Sequence, residues 1–303
     1  MIHVLVSLLL LLPSAVQKAV DPISLLDGVE RINEVVIVED VPYASGHARQ
    51  VMDVAMPNSQ DGPLPVVVVI HGGGWANGDK SDVRMFLEPL ANGGCLAISP
   101  NYRMAPTHPA PAAIHDIKHL LRWLKLNADE LGIDRDRVAL MGFSAGGHLS
   151  AIVGMTSDTR VLDPPSSTKA NRKDGQVKIC CVASIGGPMD LTGTFPEIAE
   201  PLVRGWAGPP KGKGGPRSLY SPVRWVSRKD PPVMLIHGEA DQVVPLDNIS
   251  GMKLECDKKG VSCRIHLVDE GSHIPEYKSY VVPLAGFLDE HLDSSINTGL
   301  NRK

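Results

Sequence analysis

The chain has 303 residues, 43% hydrophobic and 21% charged, which suits one large or two small globular domains and excludes a disordered or membrane-embedded protein. Its 30 Lys and Arg against 34 Asp and Glu give a formal net charge of -4, which excludes the basic excess of a nucleic-acid-binding surface.

From the N-terminus, Val4 to Leu12 is apolar apart from Ser7, and Pro13-Ser14-Ala15 follow. The run is too short to span a bilayer as a helix and fits a secretory signal peptide over residues 1–20. It predicts an exported protein, secreted or periplasmic, with no stable membrane insertion after processing. A retained apolar N-terminal segment is the alternative. Residues 21–303 read as one domain.

Val35 to Val41 and Arg49 to Ala55 predict two strands joined by a turn at Ser45-Gly46. Val66 to Ile70 is a continuous β-branched run, as in a strand covered on both faces, and Leu96 to Ser99 repeats it more weakly. Pro111 to Leu131 has helical spacing, with Ile114, Ile117, Leu120, Leu121 and Leu124 on one side. Val138 to Met141 predicts a strand, followed by a small-residue helix from about Ser144. Ile179 to Ile185, Val233 to Ile236 and Arg264 to Val268 predict three more strands, with helices near Leu246 to Lys259 and Pro275 to His291. The alternation predicts the α/β class: a mostly parallel sheet with helices on both faces. Asp163 to Gly175 and Gly208 to Arg217 break the pattern and read as surface loops; the positive charge of the second is a solvated surface or an attractor of anionic substrates.

Five cysteines are present, none in a CxxC pair or a zinc-ligand spacing with His, so no metal site is expected. Cys256 and Cys263 flank a helix-to-strand turn; they are two ordinary thiols or, in an exported protein, a disulfide pair.

Gly142-Phe143-Ser144-Ala145-Gly146 reads G-x-S-x-G between a predicted strand and a predicted helix. A serine on such a turn is held in a strained conformation at a helix N-terminus, where backbone N–H groups favour developing negative charge. Upstream, His71-Gly72-Gly73-Gly74-Trp75 directly follows a core strand. A glycine run there can aim N–H groups inward as an oxyanion hole, which assigns Gly73, Gly74 and Ala145 as donors. The serine needs a base and the base an orienting carboxylate. Of the eleven histidines, His273 lies in a loop after the last predicted strand, where an open α/β sheet builds its site. His71 reads as structural, His237 as a turn residue, His266 as a sheet residue and His148 as a helix residue without a nearby acid. Asp241 follows the Val233 strand and precedes His273; Glu239 reads as a turn cap and Asp247 as a response to a helix dipole.

The order HGGGW, GFSAGG, HGEAD, GSH resembles the esterase and lipase branch of the α/β-hydrolase superfamily. It is particularly similar to hormone-sensitive-lipase-like carboxylesterases and to bacterial feruloyl- or acetyl-esterase-like families. Asn101 to Pro106, Pro111 to Asp116, and Ser221-Pro222 ahead of Pro231-Pro232 extend the resemblance over nearly the whole chain after Val35. It implies an α/β-hydrolase fold, the triad Ser144, His273 and Asp241, and no cofactor. It also places Arg103 beside Asp116 as an ion pair. The long N-terminal helical cap of many relatives is missing, and Pro188 to Arg228 stands as a compact cap, with a helix-like pattern over Pro196 to Val203.

The leading reading is hydrolysis of a carboxylic ester of short-chain acyl, acetyl or feruloyl type, with a small-molecule or polysaccharide-linked ester as the only partner implied. Trp75, Met189 and Phe195 are the expected pocket residues. An aromatic content of 4% argues against the large apolar slot of a true lipase. The alternatives are an amide hydrolase of arylformamidase or peptidase type, and a silent binding protein on the same fold. The sequence sets no oligomeric state.

Overall fold

The computed structural model describes residues 29–32, 35–58, 62–165, 177–211 and 214–292. The expected leader at 1–20 and most of the loop at 163–175 lie outside them. Among the described residues one nine-stranded sheet runs β1 (Val29–Ile32), β2 (Val35–Pro42), β3 (Val51–Pro57), β5 (Leu96–Pro100), β4 (Leu64–Ile70), β6 (Ile133–Phe143), β7 (Ile179–Ile185), β8 (Val233–Gly238) and β9 (Cys263–Val268), in that spatial order. β1, β2, β3 and β5 pair antiparallel; every pairing from β5 through β9 is parallel. The strand β1 has no counterpart among the elements expected from the sequence.

The helices are α1 (Leu87–Asn92), α2 (Ala112–Leu126), α3 (Ala128–Leu131), α4 (Ala145–Met155), α5 (Glu200–Ala207), α6 (Pro216–Leu219), α7 (Leu246–Lys259) and α8 (Tyr277–Leu292). Strand side chains alternate between faces, and the β-branched run of β4 divides accordingly. Val66, Val68 and Ile70 join one core with Ile117 and Leu121 of α2, Ile152 of α4 and Met252 of α7. Val67 and Val69 join the other with Leu87 and Leu90 of α1 and Leu284, Phe287 and Leu288 of α8. Both faces are thus covered, as the unbroken apolar strands require. Cys256 and Cys263 are buried free thiols.

Three boundaries differ from expectation for local reasons. The helix expected over 111–131 is two, because Asn127 turns its side-chain Nδ2 back onto the Trp123 carbonyl, 2.6 Å away, and leaves helical geometry at φ -109°, ψ 12°. The helix expected over 196–203 is α5, displaced to Glu200–Ala207, since a start at Pro196 would put Pro201 in the helix interior, whereas here it sits in the first turn. A 3-10 turn, Lys80–Phe86, and then α1 fill a stretch that gives no periodic signal; Asp79 and Asp82 cap that turn reciprocally.

The sheet's topology positions the site. From β4 the chain passes to β5 on one side, and β6 lies on the other. A ligand crevice forms at such a switch, outside the carboxyl ends of the strands. The glycine loop leaves β4 there, Ser144 leaves β6, and the loops carrying Asp241 and His273 leave β8 and β9.

Candidate active site

Ser144 stands between the end of β6 and the start of α4 with φ 51° and ψ -118°, left-handed backbone that L-residues occupy only under constraint. The constraint comes from close packing. A Cβ on Gly146 would lie 2.1 Å from the Ile70 carbonyl oxygen, so only glycine lets α4 approach β4. The Ser144 N–H donates to the Ile185 carbonyl at 2.7 Å, tying the turn to β7.

Ser144 Oγ is 2.7 Å from His273 Nε2, and His273 Nδ1 is 2.9 Å from Asp241 Oδ2. Asp241 is fixed by its own turn: Oδ1 accepts from the Val243 and Val244 amides at 2.8 and 2.9 Å. Burial of this carboxyl pushes its pKa up, but the hydrogen bonds from His273, Val244 and Val243 outweigh burial and hold it below the ordinary carboxylate value. Glu239 and Asp247, the rival acids, are exposed. His237 is not a turn residue; it lies in β8, buried, with Nε2 2.8 Å from the Val244 carbonyl and 3.2 Å from Asp241 Oδ2. The four-residue spacing His237 to Asp241 was the available signal.

The glycine loop is braced from behind. His71 stacks on Tyr102 with centroids 4.3 Å apart, and its Nδ1 donates to the Gly72 carbonyl at 2.8 Å. Tyr102 Oη donates to the carbonyls of His71 and Gly72 at 3.1 and 3.2 Å. Burial pushes the His71 imidazole down to about 4, so it stays neutral. At the loop's far end Arg49 donates to the Gly78 carbonyl and to Asn101 Oδ1, both at 2.9 Å. Gly73, Gly74 and Trp75 have φ of 104°, 60° and 57°. Gly73, Gly74 and Ala145 line one cavity with Ser144 and His273. The expected ion pair is present: Arg103 Nη2 is 2.7 Å from Asp116 Oδ1, whose side chain is 0% exposed.

That cavity measures about 720 Å³, within the range of small-molecule sites. Trp75 and Phe195 line it, as expected; Met189 does not. Met189 is 0% exposed and packs in the core beneath, where its backbone bonds Asn248 and Val223. The chain's low aromatic content is also misleading, because three of its four phenylalanines, Phe86, Phe143 and Phe195, are concentrated on the cavity wall, joined by Tyr277 and Tyr280. Phe86 bridges Phe143 and Tyr277, with centroids at 5.0 and 5.5 Å. Both tyrosines belong to the helix expected near Pro275 to His291, and nothing in its spacing marks them as cavity residues. Met85 and Ile198, 59% and 67% exposed, extend the apolar lining to the rim.

The BD-FAE family model matches residues 52–254. Esterase LipC of Mycobacterium tuberculosis (strain ATCC 25618 / H37Rv) is 33% identical over 203 residues, covering 61% of this chain and 46% of that protein. The chain spans about half the length of the curated relatives it matches. Among solved structures, a truncated carbohydrate esterase from gut microbiota superposes with a TM-score of 0.73 at 24% identity, over 88% of this chain and 98% of that one. Thermogutta terrifontis esterase 2, phosphonylated by sarin, superposes with a TM-score of 0.71 at 22% identity, over 83% and 94%. The shared architecture is the α/β-hydrolase fold.

Proposed function

The chain belongs to the BD-FAE family, and from that premise we propose that it hydrolyses carboxylic esters through an acyl-enzyme. The observation that carries this reading is the Ser144–His273–Asp241 relay, with links of 2.7 and 2.9 Å, opening into the apolar cavity. His273 Nε2 takes the Ser144 proton as Oγ attacks the ester carbonyl. The N–H groups of Gly73, Gly74 and Ala145 receive the oxyanion, that of Ala145 at the positive end of α4. Asp241 stabilises the imidazolium, which then protonates the leaving alcohol. Water attacks the acyl-enzyme with His273 again as base, and Ser144 is regenerated.

The lining of the cavity supports an aliphatic or aromatic acyl group, within the short-chain to feruloyl range, more than a bare acetyl group. Its polar side chains besides Ser144 and His273 are few, Asn77 and Asp82 among them. The apolar run Val4 to Leu12 supports export of the protein and action outside the cytoplasm.

Two measurements test the reading. A fluorophosphonate probe should label the wild type at Ser144 and leave Ser144→Ala unlabelled. A panel of p-nitrophenyl esters of rising acyl length, with feruloyl and acetyl-xylan substrates, should show turnover that Ser144→Ala lacks by orders of magnitude. Substantial turnover by well-folded Ser144→Ala would sink the mechanism.

A further inference from the structure

His148 is the fourth residue of α4, fully buried, and belongs to none of the groups assigned above. Its ring nitrogens face two different parts of the site. Nδ1 accepts a hydrogen bond from Trp75 Nε1 at 3.3 Å, and Nε2 donates to the Tyr220 carbonyl at 2.7 Å. Trp75 ends the glycine run, and Tyr220 follows α6 in the cap. Burial pushes the imidazole down to about 4, so near neutral pH it carries one donor and one acceptor, as these two partners require.

The aromatic packing repeats the same three-way connection. Trp75 stacks on Trp206 of α5 at 4.6 Å and 12°, and His148 meets both indoles edge-on, at 5.1 and 5.2 Å. One residue before Trp75, a Cβ on Gly74 would lie 2.6 Å from Leu202 Cδ1, so α5 rests directly on the glycine loop. Trp75 is also held through its backbone, its carbonyl accepting from the Ala105 N–H at 2.9 Å. The helix that follows Ser144, the loop bearing Gly73 and Gly74, and the cap wall of the cavity therefore meet at one buried imidazole.

We propose that His148 is a positioning residue that fixes the glycine loop through Trp75 and the cap through Tyr220, setting the oxyanion donors and the cavity wall in one frame. The proposal rests on the reading of Gly73 and Gly74 as oxyanion donors. It assigns separate consequences to the two nitrogens. Losing the Nδ1 acceptor frees the Trp75 indole and loosens the loop, which lowers kcat. Losing the Nε2 donor releases the cap, which raises KM for esters with a bulky acyl group.

Two substitutions separate these halves. In His148→Asn the side-chain oxygen stands near the Nδ1 position and can still accept from Trp75, but the bond to Tyr220 is lost. In His148→Gln the side-chain nitrogen reaches the Nε2 position and keeps the Tyr220 bond, but Trp75 loses its acceptor. Trp75→Phe removes the indole donor while keeping a ring against Trp206, and carries the test if neither His148 variant folds. Active sites are counted with the fluorophosphonate probe, and kcat and KM are measured on p-nitrophenyl acetate and on a longer acyl ester. His148→Gln and Trp75→Phe should each lose about tenfold in kcat on both esters, the scale of a modest misplacement of transition-state donors. His148→Asn should keep kcat within about twofold while raising KM on the longer ester severalfold. Equal kcat in His148→Asn and His148→Gln, or wild-type kcat in Trp75→Phe, overturns the proposal while leaving the esterase reading intact. A wild type inert to both esters and to the probe is the failure of the esterase reading itself.

Discussion

His237 Nε2 stands 3.2 Å from Asp241 Oδ2, the same oxygen that lies 2.9 Å from His273 Nδ1. Burial lowers the His237 pKa, and its Nε2–H donates to the Val244 carbonyl at 2.8 Å, with the carboxylate beside it. The carboxylate is held on one side by its own turn and on the other by β8. Asp241→Asn should therefore lower kcat by about 10⁴, because an amide favours the wrong His273 tautomer. Glu239→Gln and Asp247→Asn, both at exposed positions, should stay within about twofold of wild type. A severe Asp247→Asn defect in the ester assay would move the orienting role to Asp247.

Gly74 lies where the glycine loop packs against Leu202 of α5. Its φ is 60°, and a methyl group there would meet Leu202 Cδ1 at 2.6 Å, so Gly74→Ala should displace the loop and reduce kcat at least about tenfold. Leu202→Ala in the same chain removes the collision but not the backbone strain, so it should recover part of the loss. Steady-state kinetics on the single and double variants give the comparison, and full recovery would mean that strain contributes nothing.

Asp116 is buried with the Arg103 guanidinium as its ionic partner, and it also accepts from the Arg103 backbone N–H at 2.8 Å and from Gln50 Nε2 at 2.7 Å. Arg103→Met leaves that carboxylate uncompensated and should destabilise the fold by about 3–5 kcal/mol in urea unfolding. Replacing both residues with apolar ones should cost less than Arg103→Met alone. A single-variant loss below about 1 kcal/mol would reduce the pair to the weight of a surface ion pair.

Acid should destabilise the fold before it titrates most carboxylates. His71 and His148 are both fully buried, and burial pushes each from its ordinary 6.5 down to about 4. Between those two values the unfolded chain binds protons that the folded chain does not, so stability is complete above about pH 6.5 and falls as pH drops toward 4. Each histidine contributes on the order of 3 kcal/mol at the acid end of that window. Tm measured from pH 7.5 to 4.5 should decline, and the slope should be shallower in His148→Asn, which has no group to titrate there. A flat Tm across the window contradicts the buried, neutral assignment.

Most of the parallel half of the sheet was legible because β4, β7 and β8 are largely unbroken apolar runs, which mean two covered faces, whereas the edge strand β9 carries Arg264 and His266 and is partly exposed. Ser144 was legible because it follows β6 directly, and Asp241 and His273 because they lie in the loops just after β8 and β9. What was lost is what periodicity does not encode. Residues 80–92 form a 3-10 turn and a six-residue helix, too short for a repeating stripe, yet they carry Phe86 and Met85 to the cavity. Met189 and Phe195 are both apolar residues of the same excursion, and only packing decides that one fills the core and the other faces the cavity. His148 looked idle because an acid was sought nearby, whereas its partner is an indole 73 positions earlier.

The connection from β7 to β8 has a consequence for how such a molecule can diverge. Val182 to Ile185 pair in parallel with Val233 to Ile236, so the intervening chain leaves at the carboxyl end of β7 and must re-enter at the amino end of β8. Along the way it builds one wall of the cavity and closes a crossover that would otherwise need only a helix. Insertions and deletions between those pairings leave the strand register untouched, so the length of this segment can change without moving the strand ends that carry Ser144, Asp241 and His273. The limits on such a change are Trp206, whose ring covers the Trp75 indole, and Tyr220, whose carbonyl accepts from His148.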